Sequence, residues 1–498
     1  MRSTLCRILL LWGLFPGHLL GQSLLPPGMP EVYLVRYDNT ELCDYLFTEA
    51  IQWATPGDTS FALLFDRNGD IAWYETTTGT FTNFTLLGNG QVGYFTQSEY
   101  LLLDSSMQLV GGLGCASSRR NDSHELIIAP DGRTFLICLE RSDGVDLSGL
   151  LTRDGDPGSS SGVLWTGVIQ ELDGAGNLVK EWRAKPYYTV YDVDAHFFTD
   201  PNALFLNHPN ALDWDGRYLL VSHRNNNEVL LLDWATDEIV WRLGGTYNQF
   251  AFTNDQGLHG QHDARFLGND RISVFDNGVQ HNPAETRGLI YHVDTVNMTV
   301  TRENEYPAPD SLSAMSMGGF RVLPGGDVLR SHGHNTQING PRIVREHSDG
   351  SPAWEIYYDS SHWTYRAQCH TPTWRLPRPA IQCLPQGNAL QLSVDASYGD
   401  FLWSDGATTA TITVTDTGRY QVFVPYGRGR MGSEVLHVTS LNGQCPAVSR
   451  PEPQVGSPRP ATRVRTVDLL GREVVQRRRG RVYVEIYSDG TARKVMVH

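Results

Sequence analysis

The sequence predicts an all-β protein whose main part is a β-propeller. One hairpin pattern recurs loosely between about Val32 and Leu376, and no long stretch shows the apolar period of an amphipathic helix. Aromatic residues make up 10% of the 498 residues, and 49 Gly with 26 Pro supply many turns. The length allows two or three domains with a sizeable hydrophobic core.

Each copy of the repeat is an apolar strand, an Asp near its end, a polar turn and a second strand, which together are typical of a β-hairpin. The copies are FALLFDRNGDIAWY (61–74), LLLDSSMQLV (101–110), VIQELDGAGNLVKEW (168–182), EVLLLDWATDEIVWRL (228–243), LIYHVDTVNMTV (289–300) and RIVREHSDGSPAWEI (342–356). Copies spaced by about 40–60 residues predict a propeller in which each hairpin is the outer part of one blade. A β-sandwich array or a β-helix is the alternative.

The start of the chain has the layout of a signal peptide, which we assign to residues 1–22. Arg2 and Arg7 precede an apolar run from Ile8 to about Leu20, which is short for a membrane span and is interrupted by Gly13 and Pro16. No other segment is apolar enough to cross a bilayer. We therefore expect an exported chain with no transmembrane segment in its mature form.

The propeller is assigned to residues 23–380, and a different type of sequence follows it. LQLSVDASYGDFLWSDGATTATITVTDTGRYQVFVP (390–425) alternates strictly over short strands, which predicts a small immunoglobulin-like β-sandwich at 381–445. Residues 446–463 read as a Pro-rich linker. The last segment, 464–498, predicts three or four strands with a basic turn at Arg477–Arg479.

The C-terminal segment resembles the sorting domain of the bacterial type IX secretion system. The similarity lies in DLLGREV, GRVYVEI and ARKVMVH. With the signal peptide, it implies export across both membranes, a partner in the secretion machinery and a secreted or cell-surface location. The net charge of −15 argues against nucleic acid or anionic membranes as partners.

Cysteine usage fits an oxidising compartment. Cys6 lies in the predicted signal peptide, and the other six cysteines are scattered without a CxxC motif, which favours up to three disulfides. The spacing does not fix their pairing, although the proximity of Cys369 and Cys383 suggests a local loop.

Polar clusters at strand ends mark the candidate site. They lie in NDSHELIIAPDGRTFL (121–136), in 205–245, in GLHGQHDARF (257–266) and in ISVFDNG (272–278). Because the innermost strand of each blade lines the centre of a propeller, we expect His124, His208, Arg224 and His262 to be neighbours.

Metal and serine chemistry are disfavoured. The histidines of HGQH (259–262) are three apart and do not share a strand face, whereas those of SHGH (331–334) do. No Cys or carboxylate stands nearby at zinc-ligand spacing. The serines of GSSSG (158–162) lie in a loop by composition and not in a GxSxG elbow.

Histidine as nucleophile is the chemistry that fits these residues. A neutral imidazole attacks readily at neutral pH. Transfer of an anionic sulfuryl or phosphoryl group also needs fixed positive charge, which an Arg fork provides. A leaving phenolate needs a proton, which a second His can supply.

The motifs SHELIIAPDG, HPNALDWDGRYLLVSHRNNNEVLLLD, EIVWRLGG and GQHDARFLGNDRISVFDNG resemble those of the bacterial arylsulfotransferase family. The resemblance implies a six-bladed propeller that moves a sulfuryl group between phenols by a ping-pong mechanism, without a cofactor or nucleotide sulfate donor. It further implies that His262 is the sulfated nucleophile, that His208 and Arg224 bind the sulfuryl group, and that His124 is the remaining active-site histidine.

Four further residues are candidates for substrate binding: Asn210 in HPN, Asp263 and His259 in GLHGQHDARF, and His334 in SHGH. Asp263 alternatively orients His262 or caps a strand, and His259 alternatively belongs to the turn. The late segment SMGGFRVLPGGDVLRSHGHN fits the family loosely, and we find no clear match for the separate N-terminal β-sandwich that precedes the propeller in well-known members of the family.

Two rival functions stay open. A non-enzymatic extracellular propeller binding a glycan or protein ligand would use the same histidines as hydrogen-bonding groups. A hydrolase would pass the sulfuryl group to water instead of to a phenol.

Overall fold

The computed structural model describes residues 29–52, 59–309, 312–335, 340–358, 362–442 and 444–446, and three strands further along. No α-helix occurs in these residues, which confirms the all-β prediction. None of the helices described there is long and apolar enough to span a membrane. The predicted signal peptide, 1–22, and most of the predicted linker lie outside the described residues.

The strands of the first half are β1 (Val32–Arg36), β2 (Tyr45–Ala50), β3 (Ser60–Asp66), β4 (Ile71–Thr77), β5 (Phe81–Leu86), β6 (Val92–Thr96), β7 (Glu99–Leu103), β8 (Leu109–Leu113), β9 (Arg120–Ile128), β10 (Thr134–Val145), β11 (Gly162–Leu172), β12 (Leu178–Arg183), β13 (Ala203–Phe205), β14 (Pro209–Trp214), β15 (Tyr218–His223), β16 (Glu228–Asp233), β17 (Glu238–Gly244), β18 (Ala251–Phe252), β19 (His262–Gly268) and β20 (Arg271–Asp276).

Those of the second half are β21 (Arg287–Asp294), β22 (Thr299–Pro307), β23 (Ala314–Ser316), β24 (Gly319–Val322), β25 (Val328–His332), β26 (His334–Asn335), β27 (Arg342–Glu346), β28 (Pro352–Tyr358), β29 (Ala367–His370), β30 (Gln382–Gln386), β31 (Ala389–Ser393), β32 (Leu402–Trp403), β33 (Thr411–Val414), β34 (Gly418–Tyr420), β35 (Val422–Tyr426), β36 (Gly429–Gly432), β37 (Leu436–Val438), β38 (Arg463–Val467), β39 (Val482–Tyr487) and β40 (Ala492–Met496). Short 3-10 turns occupy Lys185–Tyr187, Val190–Asp192, Ala195–Phe197, Arg224–Asn226 and Ala396–Tyr398.

The strands form several larger sheets, whose orders are β5-β6-β7-β8, β12-β11-β10-β9, β14-β15-β16-β17, β18-β22-β21-β20-β19, β1-β28-β27-β25-β24 and β29-β2-β3-β4-β36-β35-β32. Strands from successive sheets contact each other in turn: β2 with β5, β5 with β9, β9 with β14, β14 with β19, and β19 with β24. β25 contacts β29, which pairs with β2. This succession is propeller-like and brings the starts of several sheets together.

Every copy of the sequence repeat is an antiparallel hairpin in the structure: β3–β4, β7–β8, β11–β12, β16–β17, β21–β22 and β27–β28. The repeated aspartate has a local cause. Its side chain accepts a hydrogen bond from the backbone N–H two residues later, which fixes the turn. The residues that do so are Asp66, Asp104, Asp173, Asp233 and Asp294. In the sixth hairpin His347 stands at this position, and Asp349 in the turn accepts the backbone N–H of Ser351.

The region after the repeats is joined to the first hairpin. β36 pairs with β4 through Arg430↔Tyr74 and Met431↔Trp73, and β35 and β32 continue the same sheet. Trp73 and Trp403 are both fully buried in one apolar core. The immunoglobulin-like assignment of 381–445 stays a prediction.

β38, β39 and β40 belong to a second compact unit and form an antiparallel sheet. They lie within or beside the predicted sorting segment, 464–498. The other residues of that segment lie outside the described part of the chain, and its role in sorting stays a prediction.

The predicted disulfides are present as three pairs, Cys43–Cys369, Cys115–Cys138 and Cys383–Cys445. The suggestion of a local loop between Cys369 and Cys383 is wrong. Cys369 lies on β29, which pairs with β2 in a register that places Leu46 opposite Cys369. This long-range pairing brings the segment just before β2, with Cys43, next to Cys369.

Candidate active site

The structure brings together the four residues that the sequence analysis grouped. His124 lies on β9, His208 directly precedes β14, His262 begins β19, and Arg224 begins the turn after β15. Nε2 of His124 is 3.1 Å from Nε2 of His208. The backbone N–H of Arg224 donates to the carbonyl of His208 at 3.1 Å, which couples the two sulfuryl-binding candidates.

Three residues at or next to this centre have left-handed backbone conformations. His208 has φ 46°, Asp263 has φ 54° and Met317 has φ 61°. Residues other than glycine adopt such angles rarely, and they cluster at functional sites where the surrounding structure enforces them. The three angles occur at or beside strand starts.

The hydrogen bonds of His262 fix its tautomer. Nδ1 lies 2.7 Å from Oδ1 of Asn277 and 3.0 Å from the carbonyl oxygen of Gly260. Nδ2 of Asn277 donates to the carbonyls of Ala314 and Met317, so its Oδ1 must face the imidazole. Both neighbours of Nδ1 are acceptors, so Nδ1 carries the proton and Nε2 is the unprotonated nitrogen.

Nε2 of His262 faces the backbone N–H of Met317 at 3.3 Å. Burial, reinforced by the charge of Arg224, lowers the pKa of His262 well below its ordinary value. Burial and the charges of His124 and Arg224 lower the pKa of His208 in the same way. Both rings are therefore neutral at physiological pH, and His262 presents a nucleophilic nitrogen.

Arg224 is a cation without a carboxylate partner among the described residues. Its guanidinium carbon lies 4.3 Å from the centre of the Phe197 ring, and its Nη1 is 3.4 Å from Oδ1 of Asn225. Nε is buried and has no hydrogen-bond partner in the described structure. Burial lowers the pKa of Arg224 to about 10, so the side chain stays charged at neutral pH. A partly buried guanidinium without a carboxylate partner favours an anionic ligand.

His124 has a carboxylate partner. Its Nδ1 is 2.6 Å from Oδ1 of Asp122, and the same oxygen accepts the backbone N–H of His124 at 2.9 Å. The rings of Tyr365 and His124 make an edge-to-face contact, with their centres 5.8 Å apart. The three histidines thus differ, because Asp122 holds His124 while His208 and His262 have no carboxylate partner among the described residues.

Asp263 was predicted to bind substrate, to orient His262 or to cap a strand. In the structure its carboxylate forms ion pairs with arginines. Its Oδ1 accepts from Arg265 and Arg321 at 2.7 Å each. Arg265 and Arg366 also reach Glu125, at 2.5 and 2.8 Å. Although burial opposes ionisation, the charges of Arg321, Arg265 and Arg366 lower the pKa of Asp263. Asp263 is thus a fixed anion beside His262.

The other substrate-binding candidates lie around the centre. Asn210 is fully buried and donates to the carbonyl of Gln261 at 2.8 Å, and its own Oδ1 has no partner in the described structure. Nδ1 of His334 is 3.0 Å from Oγ of Ser316. Burial and the charge of Arg224 lower the pKa of His334. The ring of His334 lies 4.3 Å from that of Trp363.

His259 contacts His281 and Asp276, and it makes no hydrogen bond or ring contact with His124, His208 or His262 among the described contacts. Its ring is 4.9 Å from that of His281, and its backbone N–H donates to Asp276 at 2.8 Å. His281 in turn contacts Asp276 at 2.8 Å. The described residues contain no group of three or more His, Cys, Asp or Glu side chains arranged to hold a metal ion.

Sequence reasoning missed Asp122, Asn277 and Met317. Asp122 stands two residues before His124, a spacing that places both on one strand face and that offered a usable signal. Asn277 lies in ISVFDNG, which was singled out, but its role depends on carbonyls 37 and 40 positions away. Met317 acts through its backbone, which its residue type does not reveal.

These features define a class of protein: a propeller-like all-β chain whose strand starts surround a partly buried arginine and neutral histidines. Residues 170–358 match the family described as Arylsulfotransferase (ASST). The match includes His208, Arg224 and His262, and His124 lies before it.

No curated protein matches the chain. Among solved structures, it is similar to a Bacteroides caccae protein of unknown function, with 9% identity, a TM-score of 0.42, and coverage of 66% of this chain and 98% of that one. It is similar to a virginiamycin B lyase from Staphylococcus aureus, with 10% identity, a TM-score of 0.34, and coverage of 73% and 96%. A Synechocystis apocarotenoid oxygenase has 11% identity, a TM-score of 0.35, and coverage of 85% and 97%.

Proposed function

We propose that this chain is an exported aryl-sulfate sulfotransferase that moves a sulfuryl group from a phenolic sulfate ester to a phenolic acceptor through a sulfohistidine at His262. The observation that carries the proposal is the partly buried cation of Arg224, which has no carboxylate partner among the described residues, beside the neutral rings of His208 and His262. An arginine with no carboxylate to neutralise it favours a bound anion, and a neutral imidazole beside it is free to attack that anion.

In the donor half-reaction, Nε2 of His262 attacks the sulfur of the ester while the bond from sulfur to the phenolic oxygen breaks. Arg224 and His208 hold the sulfuryl oxygens, and the N–H of Met317, released by Nε2, becomes a further donor. Nδ1–H remains bonded to Asn277, which supports the positive charge that develops on the ring. His124 enters this half-reaction with both ring nitrogens protonated, and it gives the Nε2 proton to the leaving phenolate, which departs as a phenol.

In the acceptor half-reaction, His124 removes the proton from the second phenol. The phenolate oxygen then attacks the sulfur, the bond between sulfur and Nε2 breaks, and His262 returns to its neutral form. Because the two half-reactions are each other's reverse, one acid–base residue serves both. No net proton or electron is exchanged, so the cycle needs no cofactor.

The remaining parts of the proposal concern architecture and location. We interpret the six larger sheets as the six blades of a propeller built mainly from residues 23–380. The sheet that contains β2, β3 and β4 is extended by β36, β35 and β32 of the segment 381–445, which we assign to an immunoglobulin-like domain. Residues 1–22 direct export, and 464–498 engage the secretion machinery across the outer membrane. The disulfides suit this oxidising route.

The test is product analysis with p-nitrophenyl sulfate, in the presence and absence of phenol. A transferase produces nitrophenol and phenyl sulfate in equal amounts and depends on the acceptor. Inorganic sulfate formed without acceptor would instead show a hydrolase, and absence of turnover would favour the ligand-binding propeller. His208→Asn should lose most of the transfer, whereas His292→Asn, on β21, should retain it.

A further inference from the structure

β9, the strand that carries His124, interrupts its pairing with β10 around this histidine. β9 pairs with β10 at Leu136↔Leu126 and again at Cys138↔Asn121, so residues 122–125 face a single residue of β10. Such bulges reorient side chains and are frequent next to active sites. Here the bulge contains both Asp122 and His124.

Asp122 is held in place by the backbone of the bulge. It is 5% exposed, and one oxygen accepts both the backbone N–H and the Nδ1–H of His124. The carboxylate can only accept, so the proton of neutral His124 is on Nδ1 and Nε2 points toward His208.

Among the three histidines of the site, His124 is the one suited to carry a second proton. The carboxylate of Asp122 balances the positive charge of its protonated ring, whereas His208 and His262 meet the cation of Arg224 instead. A neutral His208 beside Nε2 does not oppose that protonation with a charge of its own.

We propose that Asp122 is a positioning residue for sulfuryl transfer: it holds His124 with Nδ1 protonated and stabilises the ring when Nε2 takes up the phenol proton. The inference rests on the proposed function. The proton moves from Nε2 of His124 to the oxygen of the leaving phenolate, and it returns to Nε2 from the acceptor phenol. Asp122 touches neither substrate and acts through His124.

The experiment compares two donors in single turnover of the full chain. Asp122→Asn keeps an oxygen for both N–H groups of His124 and removes the charge. It should slow phenol release from phenyl sulfate by on the order of 10²-fold, and release from p-nitrophenyl sulfate by less than about tenfold, because nitrophenolate leaves without a proton. Asp131→Asn, at the exposed turn between β9 and β10, is the matched control and should match the wild type.

A merely structural role for Asp122 predicts equal losses with both donors, and that result would overturn the inference. His124→Gln must show the same selective loss, and adding Asp122→Asn to it must cause no further selectivity. The His124 variant therefore keeps the inference testable if Asp122→Asn does not fold. A wild-type chain that releases phenol from neither donor overturns the proposed function, and this inference falls with it.

Discussion

The amide oxygen of Asn277 lies 2.7 Å from Nδ1 of His262 and cannot turn away, because Nδ2 of Asn277 donates to two backbone carbonyls. The contact determines which nitrogen of His262 is free to react. It also ties the residue proposed as nucleophile on β19 to the segment that ends at Met317, whose N–H faces the reactive nitrogen. A side chain and a backbone group from different sheets thus act on one imidazole.

Asn277→Ala should slow formation of the sulfated enzyme by about tenfold or more, because the imidazole loses the acceptor that fixes its tautomer. The stability cost should be about 1–3 kcal/mol, since two buried carbonyls lose their donor. Rapid-quench release of nitrophenol and urea unfolding measure the two effects. Asn297→Ala, at an exposed turn, is the control; an unaltered rate in Asn277→Ala would contradict the role given to Asn277.

Arg224→Met should abolish transfer and make the protein more stable. A bound sulfuryl group loses its main cation, which typically costs 10²–10³ in rate for a comparable donor, so we expect a loss of at least about 10²-fold. The free energy of unfolding should rise by about 1 kcal/mol, because a partly buried charge with no carboxylate partner is removed. Arg217→Met removes an exposed arginine paired with Asp233 and should change neither quantity greatly. A stability loss in Arg224→Met would indicate a structural cation.

The rate of sulfation should not fall at acidic pH as it would if the nucleophile were a histidine of ordinary pKa. Burial lowers the pKa of His262 well below 6.5, so the ring stays neutral as the pH falls through that value. With p-nitrophenyl sulfate, whose leaving group needs no proton, the rate of the first turnover should be nearly flat between about pH 8 and 6. Tryptophan fluorescence checks that the fold is intact. A midpoint at the ordinary histidine pKa would show that His262 is not desolvated.

Removal of two of the disulfides should reduce the stability by different amounts, because one closes a long loop of the chain and the other a short one. Cys43 and Cys369 are 326 positions apart, whereas Cys115 and Cys138 are 23 apart. Loop-closure entropy predicts that replacing the first pair by alanine destabilises the chain by about 2 kcal/mol more than replacing the second. Equilibrium denaturation of the two double variants measures the difference. Equal losses would show that chain entropy does not dominate.

The sequence predicted those features whose cause is local. The six hairpins were readable because Asp66 and its counterparts bond to an N–H two residues away. The partner of Cys369 was not readable, because it depends on pairing between β2 and β29, far apart in the chain. Likewise, the resemblance named His262 but did not reveal Asn277 or Met317, whose contacts exist only after distant segments have folded together.

The central claim is that a sulfuryl group becomes bonded to His262. Incubation of the full chain with p-nitrophenyl sulfate in the absence of acceptor, followed by intact mass and peptide mapping, tests it directly. We expect a gain of one sulfuryl group on the peptide that contains His262, its loss on addition of phenol, and no gain in His262→Ala, while His292→Ala behaves like the wild type. Transfer at the wild-type rate by His262→Ala, or a sulfuryl group on another residue, would contradict it.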